Sequence, residues 1–145
     1  MGDTMTFEQM NLDKNIIQAL HTLGYEKPLP VQEKVIPNIL LGTDCIVKSR
    51  TGSGKTASFA IPIIHNLEID ERRPQALVLT PTRELALQIQ QDFDRIGTFK
   101  KIKTLPIFGK QPFKFQKEDL KQRCHVVIGT PGRVLDHLQQ QTLDP

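Results

Sequence analysis

The sequence predicts an α/β fold, a three-layer arrangement of a parallel sheet with helices on both faces, on three observations. Four short apolar, β-branched runs (44–48, 75–80, 103–108 and 124–129) alternate with segments of helical spacing (55–67, 82–97, 114–122). Such alternation favours parallel strands joined by helical crossovers. A glycine-rich loop sits between the first of these runs and its helix, at Ser49-Arg50-Thr51-Gly52-Ser53-Gly54-Lys55-Thr56. Two later junctions repeat one design, Thr80-Pro81-Thr82-Arg83 and Thr130-Pro131-Gly132-Arg133, each directly after an apolar run.

Residues 1–6 read as an unstructured lead-in and 7–145 as one domain. A first helix is expected from Asp13 to Leu23, with Ile16, Ile17, Leu20 and Leu23 on one face. A second should start near Pro30, a good first-turn residue, and be bent or interrupted by Pro37. The run 44–48 then reads as the first strand, and a short helix should follow Pro131. The loop 68–74 reads as a solvated connection.

Composition narrows the function classes. The chain has 145 residues, 38% hydrophobic and 24% charged, enough for one ordinary core. No apolar run approaches the roughly 18 residues of a membrane span, and no signal segment opens the chain, so no membrane partner is expected. Cys45 and Cys124 lack zinc-ligand spacing and read as small buried strand residues of a cytoplasmic, reducing environment. A net charge of +3 permits a polyanionic partner without demonstrating one.

The loop at 49–56 carries the chemistry. Glycines 52 and 54 let successive N–H groups point into one concavity, which the positive end of the next helix reinforces for a polyphosphate. Lys55 would reach the β- and γ-phosphates and the Thr56 hydroxyl would hold Mg²⁺. Chance would produce Gly-x-Gly-Lys-[Ser/Thr] on the order of once in 10⁴–10⁵ positions, so nucleotide binding is favoured. Ser49 stands where the strict pattern has glycine.

The paired junctions leave two readings. An Arg in the first turn of a helix opposes the helix dipole unless an anion docks there. Two anion sites on one sheet edge would suit a polyphosphate track such as a nucleic-acid backbone. Alternatively, Thr-Pro is merely a good helix start and the arginines are solvated. Upstream, Gln32 could read adenine, since its amide donates and accepts at once, and Phe7 could stack on the base. Equally, Gln32 could be an ordinary early-helix residue and Phe7 a core anchor.

Taken together and in this order, the pieces resemble the first half of a DEAD-box RNA helicase. Gly24–Gln32 with Phe7 is similar to the family's adenine-sensing Q motif, and Ser49–Thr56 to motif I. Pro81-Thr82-Arg83-Glu84-Leu85 resembles motif Ia, and Thr130–Arg133 motif Ib. The likeness runs from Phe7 to about Leu138. It implies an N-terminal RecA-like domain. ATP would bind through Phe7, Lys27, Gln32 and residues 49–56, with Lys55 and Thr56 as the catalytic pair and Thr56 on Mg²⁺. RNA would lie across Pro81, Thr82, Arg83, Gly109, Thr130, Pro131, Gly132 and Arg133, held mainly by its sugar-phosphate backbone. Gly109-Lys110 replaces the family's glycine pair, which should restrict the backbone and add positive charge near the RNA. Val47–Ser49 and Phe108–Lys110 resemble the DbpA-like bacterial subgroup.

The family's Asp-Glu-Ala-Asp tetrapeptide would fall beyond Pro145, as would a second RecA-like domain with its arginine finger, so the sheet is expected to be incomplete at its C-terminal side. Lack of such an arginine can cost about 10³–10⁵ in rate. Two behaviours are therefore expected: RNA helicase activity of a parent protein, and nucleotide and RNA binding without turnover by this chain alone, with low solubility or a low melting temperature. An unrelated phosphate-loop kinase or transporter ATPase would leave the two Thr-Pro junctions unexplained.

Overall fold

The computed structural model describes residues 5–50 and 54–145. Its elements are a 3-10 turn (Glu8–Met10), α1 (Lys14–Thr22), α2 (Pro30–Leu40), α3 (Lys55–Asn66), β1 (Ala76–Leu79), α4 (Arg83–Ile96), β2 (Thr104–Ile107), α5 (Phe113–Leu120), β3 (Val126–Gly129) and α6 (Pro131–Gln139). They fall into two compact units, one built from the described residues up to Leu67 with Arg95–Lys101, the other from Glu68–Asp94 with Ile102–Pro145.

The first unit is helical. α1 buries Ile16, Ala19 and Leu20, the face its sequence spacing predicts, while Leu23 lies outside the helix and exposed. α2 starts at Pro30 as expected, but Pro37 does not interrupt it. The proline removes the N–H that would reach the Glu33 carbonyl, but the helix continues past it, with Leu41 N–H donating to the Pro37 carbonyl (3.1 Å). α3 buries Ala57, Ala60, Ile61 and Ile64. Its C-terminal end is tied down by Lys100, whose ammonium donates to the carbonyls of Ile64 (2.8 Å) and His65 (2.9 Å) and pairs with Asp13 at 2.6 Å. A cation at that end also interacts favourably with the helix dipole.

One expected strand does not form. Residues 44–48 lie in this unit without regular structure, and Ile46 is 98% exposed. A strand needs a neighbour to take its backbone hydrogen bonds, and the sheet among the described residues pairs only β1, β3 and β2. Cys45 is consequently exposed rather than a buried strand residue. Residues 1–4 of the expected lead-in lie outside the described residues. Met5 and Thr6 each donate a backbone N–H, to Glu33 Oε1 (3.2 Å) and Gln9 Oε1 (2.8 Å).

The second unit holds a parallel sheet of order β1-β3-β2. β3 is central and buried throughout, as its unbroken apolar run Val126-Val127-Ile128 requires. Pro106, which cannot donate, sits on the flanking strand β2. Gly129 lets β2 and α6 close on β3, because a Cβ there would lie 2.5 Å from the Ile107 carbonyl oxygen and 2.7 Å from Val134 Cγ2. Ile107, Cys124, Val127, Val134 and Leu143 form a core cluster. Burial pushes the Cys124 thiol up to about 11, so it is unreactive packing.

Candidate functional site

In the first unit, Gly54 precedes α3 with φ +87°, a left-handed conformation that suits glycine. A Cβ there would lie 2.6 Å from Gln32 Nε2 and 2.8 Å from Leu29 Cδ1. The bend at the head of α3 is thus shaped by a missing side chain, and the positive end of the helix dipole lies behind it. The Lys55 ammonium donates to the Ser49 carbonyl at 2.7 Å. Thr56 is half-buried in the first turn and Arg50 is exposed. Thr51, Gly52 and Ser53 lie outside the described residues.

Gln32 is buried, and its amide links two pieces of this unit. Its Oε1 accepts the Leu29 N–H (2.9 Å), capping α2, while Nε2 donates to the Gly54 carbonyl (3.4 Å). Among the described residues, these bonds use one lone pair and one N–H of the amide, half of its capacity. The residue borders a cleft of about 490 Å³ lined by Gly24, Tyr25, Glu26, Lys27, Leu29, Gln32 and Gly54, within the size range of small-ligand sites. Phe7 is only 3% exposed and does not line this cleft. The aromatic ring that does is Tyr25, which sequence reasoning passed over as a spacer within Gly24–Gln32.

In the second unit the sheet register brings Leu79, Gly129 and Ile107 level, so all three strands end on one rim. The segments leaving that rim are Thr80–Arg83, Thr130–Arg133 and Phe108–Gln111. The two Thr-Pro junctions are built differently. At the first, Thr82 Oγ1 accepts the Leu85 N–H (3.2 Å), and α4 begins at Arg83, two residues after Pro81. At the second, Thr130 is the cap residue with Pro131 in the first turn and no side-chain cap bond. Pro81, Thr82, Pro131 and Gly132 are exposed, and a Cβ on Gly132 or Gly109 would meet nothing within 4 Å.

The two arginines also differ. Arg83 is exposed, with its guanidinium carbon 4.9 Å from the centre of the buried Phe108 ring. Arg133 is half-buried, and its Nη1 donates to the Gln111 carbonyl (2.8 Å) and to Gln116 Oε1 (3.1 Å). Its Nε lies 3.6 Å from Asp136. Gln116 also meets His137, whose Nε2 is 2.8 Å from the same Oε1. Because that oxygen carries no hydrogen, Nε2 is the protonated nitrogen, and Nδ1 faces Thr142 Oγ1 at 2.7 Å. Burial, then the Arg133 charge, holds the His137 pKa below its ordinary value, against a smaller opposing pull from Asp136. Sequence reasoning missed Gln116 and His137, reading 114–122 simply as a helix. Lys110 adopts φ +67°, so lysine occupies a left-handed position in the turn between β2 and α5.

Fold and rim together define a RecA-like α/β domain, and comparison with solved structures agrees. A DEAD box protein from the hyperthermophile Methanococcus jannaschii superposes with a TM-score of 0.91 at 42% identity, covering 99% of this chain and 39% of that one. A hypothetical ATP-dependent RNA helicase from Sulfolobus tokodaii gives 0.81 at 36% identity, covering 92% and 38%. The DEAD/DEAH box helicase family model matches residues 29–144, and the chain belongs to that family. It is 53% identical over 137 residues to the ATP-dependent RNA helicase DbpA of Bacillus subtilis, covering 94% of this chain and 29% of that protein. Against the DEAD-box ATP-dependent RNA helicase CshA of Geobacillus kaustophilus the identity is 41%, covering 95% and 30%. The chain thus spans about three tenths of the length of these relatives. Among the described residues no helix is long and apolar enough to cross a membrane.

Proposed function

We propose that this chain supplies the ATP-binding and RNA-binding surfaces of an ATP-dependent RNA helicase. Nucleotide binding is assigned to the first unit. Gln32 and Lys27 would meet the base beside Tyr25, residues 49–54 would cradle the phosphates, and Lys55 would leave the Ser49 carbonyl for the γ-phosphate. The glycine-shaped bend at Gly54 leaves room for a phosphate group, and the Thr56 hydroxyl would be one of the protein oxygens on Mg²⁺. When bound, Mg²⁺ neutralises phosphate charge; the chain's own part is to orient the phosphates and stabilise charge through Lys55.

RNA binding is assigned to the second unit, and the observation that carries it is the level ending of three parallel strands. That register lines Thr82 and Arg83, Gly109, and Thr130 to Arg133 along one rim, where exposed backbone and arginine donors suit a sugar-phosphate chain. Such recognition is nearly sequence-blind. A cytoplasmic site of action and a second RecA-like domain in the parent protein belong to the same proposal. Alone, the chain is expected to bind ATP and RNA without turnover.

Phosphate release with and without RNA, and RNA binding followed by fluorescence anisotropy, test both parts. Binding of RNA with no RNA-stimulated ATPase is expected of the chain, and Lys55→Ala controls for contaminating enzymes. Base choice is tested by ATP against GTP. Equal loss of both nucleotides in Gln32→Ala would remove the adenine-reading role.

A further inference from the structure

We infer that Gln116 is a positioning residue that holds Arg133 and the 109–111 turn in a single arrangement for RNA. The inference rests on the RNA-binding reading of the rim, since it names what sets two of the rim's segments. Gln116 is 2% exposed, and every hydrogen-bonding position of its amide is used. Its Nε2 donates to the Phe108 carbonyl (2.9 Å) and to Gln111 Oε1 (3.2 Å). Its Oε1 accepts from Arg133 Nη1 (3.1 Å) and from His137 Nε2 (2.8 Å). Two donors and two acceptors make up the whole capacity of a glutamine side chain.

One buried amide therefore joins the end of β2, the turn after it and the first two turns of α6. The alternatives are chemically distinct. A methionine fills similar space but leaves the Phe108 carbonyl, an Arg133 N–H and the His137 N–H without this partner. A glutamate keeps both acceptor roles yet sets oxygen against oxygen at Phe108 and Gln111. Around it, Phe113 stacks on His137 with ring centres 4.1 Å apart, and Arg133 Nη1 also reaches the Gln111 carbonyl at 2.8 Å. With Nη1 bound in this way, Nη2 is the end of the guanidinium left for a phosphate. Gln116 thus decides where Arg133 points without touching RNA itself.

The test has one arm without RNA and one with it, both on the whole 145-residue chain. In the first, NMR follows the Arg133 guanidinium. Slow rotation and resolved Nη signals are expected in the wild type and in Gln116→Glu, and averaged signals in Gln116→Met. In the second, a fluorescein-labelled oligouridylate reports affinity and its salt dependence. Gln116→Met should weaken binding about tenfold, the scale of one misplaced charged hydrogen bond, and reduce the counterion slope by about one. In an Arg133→Met background the same change should have no further effect, because Gln116 acts through Arg133. A guanidinium that stays ordered in Gln116→Met, or losses that simply add in the double variant, overturns the inference. Failure of the wild type to bind the oligonucleotide while the NMR behaves as expected overturns the RNA reading of the rim instead, and leaves the tie between Gln116 and Arg133 standing.

Discussion

Replacing Gly54 by alanine tests the shaping of the phosphate loop most directly. The residue holds φ +87°, where a Cβ costs about 1–2 kcal/mol. The added methyl would also sit 2.6 Å from Gln32 Nε2, so the Gln32 side chain must withdraw. Withdrawal sacrifices the Leu29 N–H bond to Gln32 Oε1, worth about 0.5–1.5 kcal/mol. Alanine's stiffer unfolded chain returns about 0.4–1 kcal/mol. The balance is a net loss of about 0.5–3 kcal/mol, read as a fall of roughly 2–10 °C in melting temperature for a chain of this size. Thermal unfolding by circular dichroism measures it, with Gly132→Ala as the comparison. Gly132 sits in the first turn of α6 with open space around it, so alanine there should be neutral or stabilising. Equal melting temperatures for Gly54→Ala and wild type would refute the argument from backbone shape.

Three further outcomes follow from named contacts. Lys100→Met should destabilise the first unit by about 1–3 kcal/mol, because it leaves the Ile64 and His65 carbonyls without their donor; urea unfolding will show it. For His137, a folded-state pKa below 6.5 means the unfolded chain takes up its proton first, so its contribution to stability is complete above about pH 6.5 and lost as pH falls. Melting curves between pH 7.5 and 5 should record that loss, and it should vanish in His137→Phe. Lys110→Gly should relieve a left-handed lysine and raise stability by about 0.5–1 kcal/mol while lowering the salt slope of RNA binding if the ammonium meets a phosphate.

The helices were legible in the sequence because their burial follows local spacing. Ile16 and Leu20 in α1, and Ile61 and Ile64 in α3, fall where a 3.6-residue period puts them. β1, β2 and β3 were legible for the same reason, as short apolar runs. The run at 44–48 looks alike on paper, but strand formation depends on a partner elsewhere in the chain, and no local pattern encodes one. An interruption at Pro37 was expected from the removed donor, but a helix can lose one hydrogen bond and continue, as α2 does to Leu40. At the candidate sites, residue types at fixed spacing pointed to Lys55, Gln32, Arg83 and Arg133. Gln116 and His137 stayed invisible because a polar residue in a polar helix announces nothing until folding buries it.

Pro106 has a consequence for how the second unit meets other molecules. The carbonyls of Lys103 and Ile107 accept N–H groups from the β3 side (3.2 Å from Val126, 2.9 Å from Thr130), so alternation turns the Pro106 nitrogen outward. The outer margin of β2 thus lacks a donor at its middle and is a poor template for any incoming extended peptide. The opposite margin, along β1, has no proline and shows Leu77 and Leu79 to solvent. Addition of a strand beside β2 is thereby disfavoured at its middle residue, whereas the backbone of β1 carries no such gap.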